Sequence, residues 1–258
     1  MSIGETQSSV SGRRRLLAVG DIHGCIGELQ LLLRTIDPGP GDKIVFLGDY
    51  VDRGPNPRAV IDSLIDLRDS KLCETVFLRG NHEDMFLAYL GEHGNHGEAF
   101  LYNGGQSTLA SYGMRARWRG VEAREKIPPA HLEFLRRLAL SELDSPLLFV
   151  HAGISPLVPL AEQQEEDMLW IRDEFVRNRH LLKETVVFGH TPMRDVLWHI
   201  PYKIGLDTGC VYGNKLSCLD FTNATLVQVE RESRRVTERN VADELAAIAG
   251  LNDEPRGV

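Results

Sequence analysis

An α/β fold built on a mainly parallel sheet is what this sequence predicts, and three observations carry it. Short apolar runs alternate with amphipathic stretches at helical spacing through the first half. Five of the apolar runs end, within a residue or two, in a group that can bind a hard metal ion. No linker or internal repeat divides the 258 residues, which suffice for one large domain with a full core.

The elements follow in order. Leu16-Leu17-Ala18-Val19 reads as a strand and runs into Gly20-Asp21-Ile22-His23-Gly24. Ile26, Leu29, Leu32, Leu33 and Ile36 then mark one face of a helix, and Pro38-Gly39-Pro40-Gly41 breaks it. A strand over 43–47 leads to Gly48-Asp49-Tyr50-Val51-Asp52-Arg53-Gly54, followed by a helix over 57–69. A strand over 75–78 leads to Arg79-Gly80-Asn81-His82-Glu83, followed by a helix over 83–90. This order predicts parallel strands covered by helices, with ligands held outside the strands' carboxyl ends.

Residues 91–129 break the pattern. They are rich in Gly, His, Asn and Arg, and read as a cap-like insertion over the site. Glu92-His93-Gly94-Asn95-His96 within it reads as solvated loop rather than a second metal cluster. A helix over 130–140 precedes the strand Leu147–Val150, which ends in His151-Ala152-Gly153. A strand over 186–188 ends in Gly189-His190-Thr191. Segments 204–206, 216–221 and 226–229 alternate like an antiparallel meander, and 241–248 reads as a short helix. The expected organisation is a tail over 1–14, a catalytic domain over 15–232 and a C-terminal helix and tail over 233–258.

Composition narrows the function. Hydrophobic residues make up 42% and charged residues 26%, as in ordinary globular proteins. A net charge of -8 argues against a general nucleic-acid binder, which would carry a basic face. The apolar run after Arg13-Arg14-Arg15 is too short for an export signal, and no window reaches membrane length. A cytoplasmic protein is expected. Cys25, Cys73, Cys210 and Cys218 form no C-x-x-C pair, so buried free thiols are expected rather than a zinc site.

The candidate ligands are Asp21, His23, Asp49, Asn81, His151 and His190. They offer carboxylates, imidazoles and an amide oxygen, a donor set suited to Mn²⁺, Fe or Zn²⁺. The set is too large for one catalytic ion with open positions and suits two ions sharing a bridging carboxylate. Neutral Asn81, in place of a third carboxylate, preserves positive charge that would attract a phosphate. Arg53 can clamp phosphate oxygens with its planar fork. His82, beside Asn81, can give a proton to a leaving oxygen, with Asp52 holding its charged form.

These motifs, from Gly20-Asp21-Ile22-His23-Gly24 to Gly189-His190-Thr191, resemble in type and order the series of the phosphoprotein phosphatase (PPP) family of calcineurin-like metallophosphoesterases. The resemblance implies a central β-sandwich flanked by helices, with a dimetal site at strand ends. It implies that Asp21, His23 and Asp49 hold one ion, and Asp49, Asn81, His151 and His190 the other. Mn²⁺ is the first expectation, with Fe or Zn as alternatives. His82 and Asp52 would form the general-acid pair, and Arg53 and Arg172 would grip phosphate. Tyr212 is similar in placement to an aromatic near the metals.

Gly189-His190-Thr191-Pro192 lacks the second His of the fold's nucleases, which favours the phosphatase branch. The implied activity is hydrolysis of phosphoserine and phosphothreonine, and of phosphotyrosine in some relatives, by a metal-bound hydroxide. The partner would be a phosphoprotein or phosphopeptide, without a nucleic acid, a membrane or a regulatory subunit. The alternative is a diadenosine tetraphosphate hydrolase on the same scaffold. Asp52 tilts the reading toward the phosphatase, because many bacterial tetraphosphatases carry Ala there. Intact Asp52, Arg53 and His82 argue against a third reading, a non-catalytic binding module.

Overall fold

In the computed structural model, which describes residues 14–115, 117–118 and 120–249, the apolar runs pair into two sheets. The first half forms β1 (Leu16–Val19), α1 (Ile26–Ile36), β2 (Lys43–Phe46), α2 (Pro57–Ser70), β3 (Glu74–Phe77) and α3 (Asn81–Tyr89). The insertion contains α4 (Gln106–Ser111) and α5 (Gly120–Arg124). After it come α6 (Pro129–Arg136), β4 (Ser141–Asp144), β5 (Leu147–Val150), α7 (Glu165–Trp170), α8 (Asp173–Arg177) and β6 (Thr185–Phe188). The chain finishes with β7 (Leu197–His199), β8 (Lys203–Gly205), β9 (Lys215–Asp220), β10 (Thr225–Glu230), β11 (Val236–Asn240) and α9 (Ala242–Ala249). Apart from Arg14, the tail expected over 1–14 lies outside the described residues, as does 250–258.

One sheet has the order β11-β10-β9-β1-β2-β3, with β1, β2 and β3 parallel. The other has the order β4-β5-β6-β8-β7, with β5, β6 and β8 parallel. Side-chain alternation explains why the sheets stack. Leu17, Val19, Ile44 and Phe46 face the helical layer that includes Leu29, Leu32 and Val60. Ala18, Val45 and Leu47 face the opposite way and meet Phe149, Val187 and Ile204 of the second sheet. Leu148, Val150, Val186 and Phe188 point outward again and pack on Phe175 of α8. The layers are therefore helix, sheet, sheet, helix. Central strands buried on both faces read as unbroken apolar runs, which is why they stand out in the sequence. Each fully buried Leu, Val or Phe contributes about 1.5–3 kcal/mol of transfer free energy.

The fold is the α/β sandwich that the resemblance implied, and three local expectations change. Segment 204–206 leaves the meander: β8 pairs with β6 and β7 in the second sheet. The meander is instead β9, β10 and β11, joined to β1 through β9. Alternation identifies which face of a strand is buried, not which strand lies beside it. α6 ends at Arg136 because Ala139 turns to bridge Leu78, accepting the Arg79 N–H at 2.7 Å. α3 begins at Asn81, and Glu83 reaches back to the Gly80 N–H at 3.0 Å in a capping box. No described helix is long and apolar enough to cross a membrane.

Candidate metal centre and phosphate site

Five strand ends converge on one buried centre. β1 delivers Asp21 and His23; β2 delivers Asp49, Asp52 and Arg53; β3 delivers Asn81 and His82. β5 and β6 of the second sheet deliver His151 and His190. Asp49 sits between the two sheets' contributions. Its Oδ2 lies 3.3 Å from His23 Nε2, and its Oδ1 lies 3.4 Å from His151 Nε2. Ligand atoms of Asp49, His23 and His82 fall within 4.8 Å of one another, as do those of Asp49, His151 and His190. Two groups sharing one carboxylate, each oxygen facing a different imidazole, is the arrangement a bridging ligand requires.

The histidine tautomers are set by the backbone. His23 Nδ1 pairs with Val51 O, and His151 Nδ1 with Leu47 O, both at 2.8 Å. Each Nδ1–H therefore donates outward and leaves Nε2 with its lone pair toward the centre. Asn81 Oδ1 lies 3.1 Å from His151 Nε2 and 3.0 Å from His190 Nδ1. His190 Nε2 is buried without a hydrogen-bond partner. Asp21 stands outside both groups: its oxygens accept the His190 backbone N–H at 3.2 and 3.0 Å. Two motif glycines make room for these side chains. A Cβ at Gly189 would lie 2.1 Å from Asp21 Oδ1, and one at Gly80 would lie 2.2 Å from Asp49 Oδ1.

The electrostatics call for a cation. Burial, followed by the charges of Asp207 and Asp49, pushes the Asp21 carboxyl well above the usual carboxylate range. Burial also raises the Asp49 carboxyl, but His151, His82 and His23 together hold it well below that range. Burial takes His190 well below its ordinary value, with His151 and Arg172 adding to the effect. Buried carboxylates crowded together, beside the imidazoles of His151 and His190 that burial lowers toward the neutral form, give a hard oxygen and nitrogen donor set that fits divalent metal ions.

His82, Asp52 and two arginines surround this centre. His82 Nδ1–H donates to Asp52 Oδ2 at 2.6 Å, and both residues are fully buried. Burial lowers His82 well below its ordinary value, with His23, Arg53 and Arg172 reinforcing it against Asp49. Arg53 Nη1 lies 2.7 Å from His23 Nε2, and its guanidinium sits 5.6 Å from the Tyr212 ring centroid. Arg172 immediately precedes α8 and is exposed, and its guanidinium has no hydrogen bond or ion pair among the described residues. Its charge nevertheless reaches His82 and His190. The fold brings His23, Asp49, Asn81, His82, His151, His190, Asp52 and Arg53 together, while Asp21 lies outside the two ligand groups and Arg172 at the surface.

Two residues escaped sequence reasoning. Glu83 accepts the N–H groups of Asp49, Tyr50, Val51 and Gly80 at 2.8–3.0 Å, locking the loop after β2 to the start of α3. Its capping-box spacing from Gly80 was the available signal. Thr108 of α4 bonds Asp52, and nothing in the sequence around it pointed to the site. The 92–96 cluster contributes to neither ligand group; His96 packs instead against Trp170, with ring centroids 5.0 Å apart.

A helix-flanked β-sandwich with hard ligands at its strand ends defines a metallophosphoesterase. The chain belongs to the calcineurin-like phosphoesterase family, whose model matches residues 14–227, and family membership together with the donor set implies divalent metal ions. Among curated relatives is the bis(5'-nucleosyl)-tetraphosphatase PrpE (asymmetrical) of Anoxybacillus flavithermus. It is 26% identical over 252 residues, covering 86% of this chain and 96% of that protein. The protein of the same name from Oceanobacillus iheyensis is 27% identical, covering 88% of this chain and 98% of its own length. A solved structure provisionally assigned as a diadenosine tetraphosphatase superposes with a TM-score of 0.58 at 24% identity. It covers 90% of this chain and 94% of its own, a likeness of fold.

These relatives overturn the expectation of a protein serine/threonine phosphatase acting on a phosphoprotein or phosphopeptide. They are named for dinucleotide hydrolysis and match along nearly their whole lengths. Asp52 misled for a physical reason. It is 0% exposed and bonded to His82 and Thr108, so it is turned away from the open cleft where a substrate would be distinguished.

Proposed function

We propose that this chain is a metal-dependent dinucleoside tetraphosphate hydrolase that cleaves its substrate into unequal halves. The observation that carries the reading is the name and near-complete coverage of its curated relatives. Asp21, His23 and Asp49 would hold one divalent ion, and Asp49, Asn81, His151 and His190 the second, with Mn²⁺ first and Fe or Zn as alternatives. When bound, the ions supply Lewis-acid stabilisation of phosphoryl charge.

The chain's own residues do the rest. Arg53, inside the cleft, and Arg172, at its rim, neutralise phosphate oxygens and align the scissile group. His82 delivers a proton to the departing phosphate oxygen, and burial makes its imidazolium a stronger acid than a solvated one. Asp52 holds the ring through Nδ1. A cavity of about 830 Å³, lined by Tyr89, His96, Tyr102 and Gln106 of α3 and the insertion, offers room for a nucleoside. Trp170 links it to the centre, its ring 5.0 Å from His96 and 6.4 Å from His190.

The test is turnover of diadenosine tetraphosphate by Mn²⁺-loaded protein and by its His82→Asn variant. Wild type should release nucleotides, and the variant should retain its metal while losing roughly 10²-fold in kcat. Loss of the metal from the variant would refute the role given to His82.

A further inference from the structure

We propose that Thr108 is a positioning residue of the reaction: its hydroxyl sets Asp52 against His82, so the 91–129 insertion completes the proton-delivery pair as well as covering the site. The inference rests on the reading of His82 as proton donor.

The geometry is reciprocal. Thr108 Oγ1 accepts the Asp52 backbone N–H at 2.9 Å and donates to Asp52 Oδ1 at 2.5 Å. The other carboxylate oxygen, Oδ2, takes the His82 Nδ1–H. Asp52 is thus held at one oxygen by the insertion and at the other by the imidazole it orients. Thr108, Asp52 and His82 are all at most 1% exposed, so no solvent molecule can take over the hydroxyl's bonds.

The backbone explains why a clamp is needed here. Asp52 and Arg53 both adopt positive φ, 69° and 64°, a region costly for residues with a Cβ. Such a turn persists only where its surroundings over-determine it. Three bonds from the insertion do so. Besides the two through Thr108, Gly104 O accepts the Arg53 N–H at 3.2 Å. Gly104 itself has φ +101°, and a Cβ there would lie 2.7 Å from Arg53 Cγ. One turn of α4 onward, Ser111 Oγ accepts the Arg58 N–H at 3.2 Å at the start of α2. The segment 104–111 is therefore fastened along the loop that carries Asp52 and Arg53.

The carboxylate has four lone-pair directions and one task, to hold a single ring. Without the hydroxyl, its Oδ1 and its own N–H are both left buried and unpaired. The cheapest relief is rotation of the Asp52 side chain back toward its N–H, which takes Oδ2 away from His82. The imidazole would then lose its orientation with no change in substrate or metal contacts.

The experiment compares Thr108→Ser, which keeps the hydroxyl, with Thr108→Val, which keeps the shape. Circular dichroism first establishes that each is folded. Proton NMR of the metal-free full chain then reads the downfield His82 Nδ1–H resonance, assigned by its disappearance in His82→Asn. Thr108→Val should shift that resonance or lose it to exchange with water, and Thr108→Ser should restore it. On diadenosine tetraphosphate, Thr108→Val should lower kcat ~10-fold or more with KM changed less than twofold, and Thr108→Ser should recover most of it. An unmoved resonance with kcat within twofold of wild type would overturn the proposal. If His82→Asn itself kept full turnover, the proton-donor reading would fail instead. An unfolded Thr108→Val would be replaced by Thr108→Cys, whose weak donor should give an intermediate shift; an unchanged resonance there counts against the proposal.

Discussion

Buried donors without partners are the informative residues. His190 Nε2 has no hydrogen bond inside the protein, although burial makes such isolation costly. The ring's other nitrogen, Nδ1, is the atom turned to the centre, 3.0 Å from Asn81 Oδ1, where a metal ion would sit between them. Gly189 beside it has no side chain because Asp21 Oδ1 fills that space. Gly189→Ala should therefore displace Asp21 and weaken metal binding ~10–100-fold. Scanning calorimetry checks this: Mn²⁺ should raise the Tm of wild type clearly and that of the variant much less, since a ligand bound only to the folded state stabilises it. An equal rise in both would detach Asp21 from the metal. The candidate ligands were legible in the sequence because each follows closely on an apolar run. Thr108 was not, because its partner lies on a different element, brought close only by packing.

Among the elements, the loop after β2 carries the most chemistry and the least intrinsic stability. Asp49, Asp52 and Arg53 all have positive φ. Glu83 from α3 compensates by accepting four backbone N–H groups across that loop and Gly80. Glu83→Gln would turn a donor group toward those N–H groups and should cost about 2–4 kcal/mol. Urea denaturation measures it, and a change below 0.5 kcal/mol, the ~0.5 kcal/mol scale of ordinary surface substitutions, would refute the bracing role. Element types were mostly readable in advance, and element partners were not. β8 and β9 show the same alternation, yet one joins each sheet. β11, with the polar sequence Val-Thr-Glu-Arg-Asn, is an edge strand whose exposed face gives no apolar signal.

Across the molecule, two sheets are needed to close one site, so anything that fastens the N-terminal half supports the centre. Arg15 ties the start of β1 to the end of α1 and the start of β2. It bonds Asp42 Oδ2 at 2.5 Å and Ile36 O at 2.9 Å. Burial raises the Asp42 carboxyl, but Arg15 and the Gly39 N–H outweigh it and hold the value below the usual range. The stabilisation from a depressed carboxyl is complete above the unfolded value, near ~3.9, and is lost as pH falls through the folded value. Wild-type stability should thus drop on acidification below about pH 4, and Asp42→Asn should be less stable at pH 7 but show a shallower acid slope. Parallel acid slopes in the two proteins would contradict this account.

Product analysis on diadenosine tetraphosphate decides the substrate. Mn²⁺-loaded protein is incubated with diadenosine tetraphosphate, and the nucleotides are separated by anion-exchange chromatography. The expected products are a nucleoside triphosphate and a nucleoside monophosphate in equal amounts, with both lost together in His82→Asn. An untouched dinucleotide, in a preparation that releases phosphate from phosphopeptides, would contradict the dinucleotide assignment.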